Sequence, residues 1–113
     1  MSPVSWAADR ATVTVPGRFT ERGSELLDWD EPAEVFEVRG LFEPGPGDID
    51  PDAYAVEVTG SFLARGRRAV AAPARIDIAG VGVFGLAGDA QVWRSPTGAV
   101  SHVQYVLTRW EVR

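Results

Sequence analysis

Apolar and polar residues alternate with a period of two along most of this chain. No segment carries apolar residues at the three- and four-residue spacing of an amphipathic helix. A period of two places successive side chains on opposite faces of a β-strand. Glycine and proline interrupt the alternation at short intervals, as expected where strands are joined by tight turns. The sequence therefore predicts an all-β protein built from short strands.

Six or seven short, mostly antiparallel strands are predicted. They lie around Val13 and Val15; Phe36, Val38 and Phe42; Tyr54, Val56, Val58 and Phe62; Ile76 and Ile78; residues 83–86; residues 90–93, either as a separate strand or as a continuation past a bulge at Gly88; and residues 100–112. Gly40 interrupts the second strand, which indicates a bulge or a close approach of two backbones. The segment 95–98 (Ser-Pro-Thr-Gly) predicts a turn between two antiparallel strands.

Strands of this number and length favour a small single-domain β-barrel or a sandwich. A barrel is favoured because closure protects strand edges that here carry few charged residues. With 113 residues the chain is long enough for one domain only, which we assign to residues 11–113, with residues 1–10 as a flexible N-terminal arm. Two long loops are expected, over residues 43–52 and 64–74, and loops of that length are often functional.

The last strand, residues 100–112, carries apolar side chains on both faces. Val103, Tyr105 and Leu107 lie on one face, and Val106, Trp110 and Val112 lie on the other. A strand of this kind is expected either at the centre of its sheet or with its second face covered by a neighbouring subunit.

Composition excludes several classes of function. The chain has no cysteine, so disulfides, thiolate metal sites and a cysteine nucleophile are excluded. It has no apolar run of the roughly 20 residues that a membrane span needs, and its N-terminus lacks the layout of a signal peptide. We therefore expect a soluble protein that is made in the cytoplasm and has no membrane partner.

Neither catalysis nor metal binding is expected. Asp48, Asp50 and Asp52 have the spacing of a calcium loop, but Ala53 and Thr59 occupy the positions where that loop needs glycine and glutamate. The acidic loop is therefore interpreted as solvated or as a contact to arginines of another subunit. His102 is the only histidine and has no serine motif to act with. The sequence predicts no enzyme, no cofactor and no metal site.

An arginine cluster, Arg65, Arg67 and Arg68, follows the third predicted strand. The net charge of −5 and the pI of about 4.7 disfavour dedicated binding of nucleic acid. Charge is divided along the chain, because residues 1–57 hold 13 acids and 4 arginines whereas residues 58–113 hold 3 acids and 7 arginines. We expect the arginine cluster to meet the acidic loop at 48–52 of another copy in a head-to-tail contact.

Trp29 stands in an acidic segment, between Asp28 and Asp30. A tryptophan in such a place is a candidate interface anchor. The alternative is that it covers one end of the barrel. Both interpretations stay open at the level of sequence.

Several short motifs occur in a fixed order, and together they resemble the head-closure, or head-to-tail stopper, proteins of long-tailed bacteriophages. The matching elements are Arg22-Gly23, Asp28-Trp29 and Pro32; Gly40 and Pro44; residues 58–63 with Arg75-Ile76; and Gly88, Trp93, Pro96, Gly98 and residues 102–109. The resemblance covers residues 11–112. Ala74 and Ala64 depart from it, since the family has aspartate before the arginine and proline in the second loop.

The resemblance implies a structural protein of the virion neck. It implies a small β-barrel assembled as a ring of six or twelve copies that closes the DNA channel and docks the tail. The implied partners are other copies of the chain, a portal or adaptor protein, and a tail terminator or tail tube protein, with DNA passing through the lumen without specific binding. The alternatives are a tail-terminator or minor tail protein and, from another class, a small ligand-binding β-barrel.

Overall fold

The computed structural model of the chain describes residues 9–46, 51–54, 56–65, 69–94, 96–98 and 100–110. Within these ranges the chain forms nine strands and one short 3-10 helix at Pro51–Ala53. The strands are β1 (Asp9–Val15), β2 (Gly17–Glu21), β3 (Ser24–Asp28), β4 (Glu34–Pro44), β5 (Gly60–Ala64), β6 (Arg75–Ile78), β7 (Gly82–Leu86), β8 (Gln91–Arg94) and β9 (Val100–Arg109).

Six of the strands form a closed antiparallel barrel. Their order is β5-β4-β1-β6-β7-β9, and β9 pairs back with β5 to complete the ring. Closure satisfies the hydrogen-bonding groups that an open sheet would leave at its edges. β8 is an additional strand that pairs with β9. The predicted all-β, small single-domain barrel is confirmed.

Alternate side chains of the barrel strands fill its interior. The largest of the fully buried side chains include Phe62 on β5, Ile76 on β6 and Tyr105 and Leu107 on β9. Phe62 and Tyr105 face each other across the β5–β9 pairing. A barrel of about this strand number is just wide enough for side chains to fill its interior. The alternation read from the sequence therefore corresponds to an inner and an outer face.

Strand β9 pairs with three other strands, which agrees with the first of the two alternatives, a position at the centre of its sheet. Gln104 lies opposite Leu63 of β5 on one edge and opposite Gln91 of β8 on the other. β7 lies on the same edge as β8, because it pairs with Leu107, whose other edge is taken by β5. β8 therefore continues the path of β7 along β9, after an interruption at residues 87–90. A turn was predicted at residues 95–98, and the described residues 96–98 form one between β8 and β9.

The interruption predicted at Gly40 is a close approach of two backbones. A Cβ atom at this position would lie 2.0 Å from the carbonyl oxygen of Leu63 on the neighbouring β5. No side chain other than hydrogen fits there, which is why the buried face of β4 contains a glycine.

Three features differ from the sequence prediction. The β2–β3 hairpin was not predicted, because no strand was expected between the first strand and residue 36. Residues 54 and 56–59 were predicted as strand and do not form one; Val58 is buried and Tyr54 half-buried without a strand ladder. β1 begins at Asp9, inside the segment assigned to the N-terminal arm. Residues 1–8 and 111–113 lie outside the described residues.

The two predicted long loops lie at opposite ends of strand β5. The chain enters β5 from the first loop and leaves it into the second. The first loop is closed at its base by a hydrogen bond from the backbone N–H of Gly45 to the carbonyl of Thr59, just before β5. The second loop begins at Arg65, directly after β5. Gly60 and Ala64, the two ends of β5, are four residues apart at roughly 3.3 Å per residue, so the two loops flank a strand about 13 Å long.

Candidate interaction surface

The tip of the β2–β3 hairpin is a two-residue turn formed by Arg22 and Gly23. Both residues have positive φ angles, 52° and 80°, which is the backbone of a type I′ turn. This turn matches the right-handed twist of the two strands that it joins. The Arg-Gly motif singled out in the sequence therefore makes a hairpin.

The base of the hairpin is held by Asp28. Its Oδ1 accepts hydrogen bonds from the backbone N–H groups of Asp30 (3.0 Å) and Glu31 (3.1 Å). This arrangement folds the chain back directly after β3. The turn packs closely on Gly17, where a Cβ atom would lie 2.3 Å from the carbonyl oxygen of Glu31. Asp28 thus fixes where the next side chain, Trp29, is placed.

Trp29 packs against the side of the barrel. Its ring meets that of Trp110, just after β9, edge to face with centroids 4.8 Å apart. The guanidinium carbon of Arg75 lies 5.6 Å from the centroid of each ring, within cation–π range. Arg75 is on the outer face of β6, since its neighbour Ile76 is in the core. The three side chains join the hairpin to strands β6 and β9.

A groove of about 520 Å³ opens beside this cluster. Most of the side chains that line the groove are apolar, and they include Leu27, Trp29, Val56, Pro73, Leu86 and Trp110. Glu57 and Arg109 also line it. A second depression, of about 350 Å³, shares Trp110 with the groove and is also lined by Thr12, Thr14, Arg75 and Asp77. The larger groove is the more apolar of the two.

The hairpin face that points away from the groove exposes an apolar pair. Phe19 and Leu26 lie directly opposite each other in the β2–β3 register and are 43% and 41% exposed. The other face carries Leu27, which lines the groove, together with the exposed ion pair of Arg18 and Glu25. An exposed ion pair of this kind contributes little stability. The hairpin therefore projects with an apolar pair that stays partly exposed within the described part of the chain.

Strand β8 adds an exposed tryptophan. Trp93 is 49% exposed, donates a hydrogen bond from Nε1–H to Oε1 of Gln104 (2.9 Å), and stacks on His102 at a centroid distance of 6.0 Å. The single histidine therefore lies beside an aromatic ring on the outside of β9.

The residues predicted as interface residues fall in three places. Trp29 lies in the aromatic cluster, Asp52 in the 3-10 helix of the first loop, and Arg65 at the end of β5; the last two are exposed. Asp48, Asp50, Arg67 and Arg68 lie outside the described residues. The structure adds Phe19, Leu26, Arg75 and Trp110 to the candidate surface.

Within the described part of the chain, no group of three or more His, Asp or Glu side chains converges as a metal site. No helix in the same ranges is long and apolar enough to cross a membrane. Comparison with family models, with curated proteins and with solved structures finds no match to this chain.

Proposed function

We propose that this chain is a structural subunit of the bacteriophage neck, a head-to-tail stopper or connector that assembles as a ring between the portal or adaptor and the tail. The observation that carries the proposal is the β2–β3 hairpin, which projects from a closed barrel with an exposed apolar pair. Neighbouring apolar side chains that stay partly exposed on a projecting hairpin are available for contact with another protein. The sequence motifs resemble those of the head-closure family, and this resemblance indicates that the assembly is a ring at the virion neck.

The placement of charge supports the same proposal. The loop that contains Asp52 and the loop that begins at Arg65 leave β5 at opposite ends. Opposite charges at opposite ends suit a heterologous contact, in which one end of a subunit meets the other end of its neighbour. Heterologous contacts close into rings when the rotation between subunits allows it.

The proposed role is to close the DNA channel after packaging and to present a docking surface to the tail. Its partners are other copies of the chain, a portal or adaptor protein on the head side, and a tail terminator or tail tube protein on the tail side. The net charge of −5 suits a channel through which DNA passes without sticking. The protein acts in the virion and is made in the host cytoplasm; it performs no catalysis.

The ligand-binding alternative requires a cavity inside the barrel. In the described residues, the interior holds packed side chains such as Phe62, Tyr105 and Leu107, and the larger groove is on the outside. This packing favours the assembly role over the binding of a small molecule.

Deletion of the gene from the phage genome that carries it tests the proposal. We expect heads that package DNA, lose it during purification and carry no tails, and we expect supplied wild-type protein to restore tailed, infectious particles. Normal yields of tailed, DNA-filled particles from the deletion phage would contradict a role in the neck. Electron microscopy and a nuclease-protection assay of packaged DNA measure both phenotypes.

A further inference from the structure

The smaller depression, of about 350 Å³, lies on the outside of the barrel over the pairing of β1 with β6. Two pairs of facing side chains form its floor: Thr14 of β1 lies directly opposite Arg75 of β6, and Thr12 lies opposite Asp77. These four side chains line the depression together with Val83 and Trp110. One small space is therefore lined by two hydroxyl groups, a guanidinium, a carboxylate and two apolar side chains.

The hydroxyl group of Thr14 faces this space without a partner. Thr14 is only 5% exposed, and its Oγ1 forms no hydrogen bond within the described ranges of the chain. In those ranges no fully enclosed side-chain oxygen or nitrogen lacks a partner, so this oxygen still has access to the depression that Thr14 lines. A nearly buried hydroxyl is costly to leave unpaired. A polar group bound in the depression is therefore stabilised by pairing with it.

The two charges beside Thr14 are not used by each other. Arg75 and Asp77 are two residues apart on β6 and therefore point to the same side of the strand. Among the residues that the structure describes, no ion pair joins them to each other or to a third residue. The cation–π contact of Arg75 with Trp110 supplies no acceptor for the five N–H groups of the guanidinium. The depression thus presents one unpaired charge of each sign.

We propose that this depression binds a small zwitterion, an α-amino acid with an apolar side chain. Its carboxylate accepts hydrogen bonds from Arg75 and Thr14, and its ammonium group donates to Asp77. Same-side neighbours on a strand are about 7 Å apart, a distance that two hydrogen bonds of about 2.8 Å and one amino acid can bridge.

The lining also selects against other ligands. A ligand with a single charge leaves either Arg75 or Asp77 unpaired and is repelled by the residue of its own sign. Val83 lies opposite Asp77 on β7, and Trp110 lies beside Arg75, so an apolar side chain has a surface to contact. The volume of about 350 Å³ lies at the lower end of the roughly 300–1,000 Å³ of small-molecule sites. This inference goes beyond the proposed function and does not depend on the ring.

A titration followed by nuclear magnetic resonance tests the site with three matched compounds. L-Valine carries both charges, 3-methylbutanoate lacks its ammonium group, and isobutylamine lacks its carboxylate. We expect L-valine to shift the signals of the Thr14 and Asp77 amides and of the Trp110 indole N–H. We expect saturation at millimolar concentrations, with both analogues binding at least about fivefold more weakly, because contacts between exposed charges contribute little each. Equal binding of all three compounds, or no shift of these signals, would overturn the proposal.

Asp77→Asn separates direct contact from a general change of the surface. It should weaken L-valine binding about fivefold, because the partner of the ammonium group loses its charge. It should leave 3-methylbutanoate binding unchanged or make it tighter, because the repulsion of the carboxylate is removed. Asp77 is exposed, so the variant is expected to fold, and its amide spectrum checks this. Equal weakening of both compounds in the folded variant would contradict the assigned orientation.

Glu37→Gln is the matched control. Glu37 is an exposed acid on β4 that lies opposite Thr12 on the other edge of β1, and it is not part of the lining of the depression. The same loss of one negative charge should leave L-valine binding unchanged there. A loss of L-valine binding as large as that of Asp77→Asn would show that only the overall charge matters, and it would overturn the site.

Discussion

Trp29 and Trp110 meet edge to face, with ring centroids 4.8 Å apart and ring planes at 88°. One residue follows the β2–β3 hairpin and the other follows the last barrel strand, 81 residues later. Arg75 lies 5.6 Å from both centroids. This cluster attaches the hairpin to the barrel, and its two tryptophans line the outer groove.

Removing either tryptophan should destabilise the protein by about 2 kcal/mol, roughly half the cost of deleting a fully buried one, because both rings are half-buried. The Trp29→Ala and Trp110→Ala effects should not add. We expect a coupling of roughly 1 kcal/mol in the double mutant, which is typical of an edge-to-face aromatic pair. Urea unfolding followed by far-UV circular dichroism measures all four proteins of the cycle.

Trp93→Ala is the matched control for this cycle. Trp93 is half-exposed on strand β8 and is not part of the cluster. Its removal should show no coupling with Trp29→Ala. Additive effects of Trp29→Ala and Trp110→Ala would contradict the contact between the two rings.

Gly40→Ala should destabilise the barrel by on the order of 3 kcal/mol, or prevent folding. The added Cβ would overlap the carbonyl oxygen of Leu63, at 2.0 Å, and would push β4 away from β5. Gly88→Ala is the control, because its Cβ would make only an ordinary contact, 3.5 Å from Cε1 of Tyr54. Urea unfolding midpoints compare the two variants. Equal midpoints would show that β4 and β5 do not approach each other in this way.

Asp28→Ala should loosen the base of the hairpin without unfolding the barrel. It removes the acceptor of the N–H groups of Asp30 and Glu31, and hydrogen bonds to a charged acceptor contribute roughly 1.5 kcal/mol or more. We expect these two amides to exchange hydrogen at least about tenfold faster, as measured by nuclear magnetic resonance. In Asp30→Ala, which keeps the acceptor, the exchange of Glu31 should be unchanged. An identical exchange rate for Glu31 in both variants would rule out this role of Asp28.

The barrel could be predicted from the sequence because its strands bury one face each. Alternation at Val13, at Ile76 and Ile78, and at Val103 to Leu107 directly reports the inner face. The sequence left two readings of Gly40 open, a bulge or a close backbone approach, and the structure shows the close approach. The same reasoning failed at Tyr54 and Val58, where alternating residues pack without a strand partner.

The hairpin and the aromatic cluster could not be predicted in this way. The usual signal for a type I′ turn is Asn-Gly or Asp-Gly, and here Arg22 takes the first position at a positive φ. The strands beside it expose an apolar pair, so no buried face marks them. Trp29, Arg75 and Trp110 are far apart in the chain, and only the closed barrel brings them together.

Reversing the charge of the arginine cluster should abolish assembly while the domain stays folded. In the predicted head-to-tail contact, the arginines of one copy meet the acidic loop of the next. The substitutions are Arg65→Glu, Arg67→Glu and Arg68→Glu. Sedimentation measures assembly, and circular dichroism checks the fold.

The complementary variant replaces the three aspartates of the first loop with arginine. The substitutions are Asp48→Arg, Asp50→Arg and Asp52→Arg. Each variant alone should fail to assemble, and a chain that carries both sets should recover assembly because the charges match again. Intact assembly of the arginine-cluster variant would rule out this contact.

Cryo-electron microscopy of particles formed by co-expression with the neighbouring genes tests the central claim most directly. The account predicts a symmetric ring of small β-barrels between the portal vertex and the tail, with the number of subunits given by its symmetry. A ring found at the top of the tail tube alone would instead assign the protein as a tail terminator. Particles whose neck lacks this density would contradict the account.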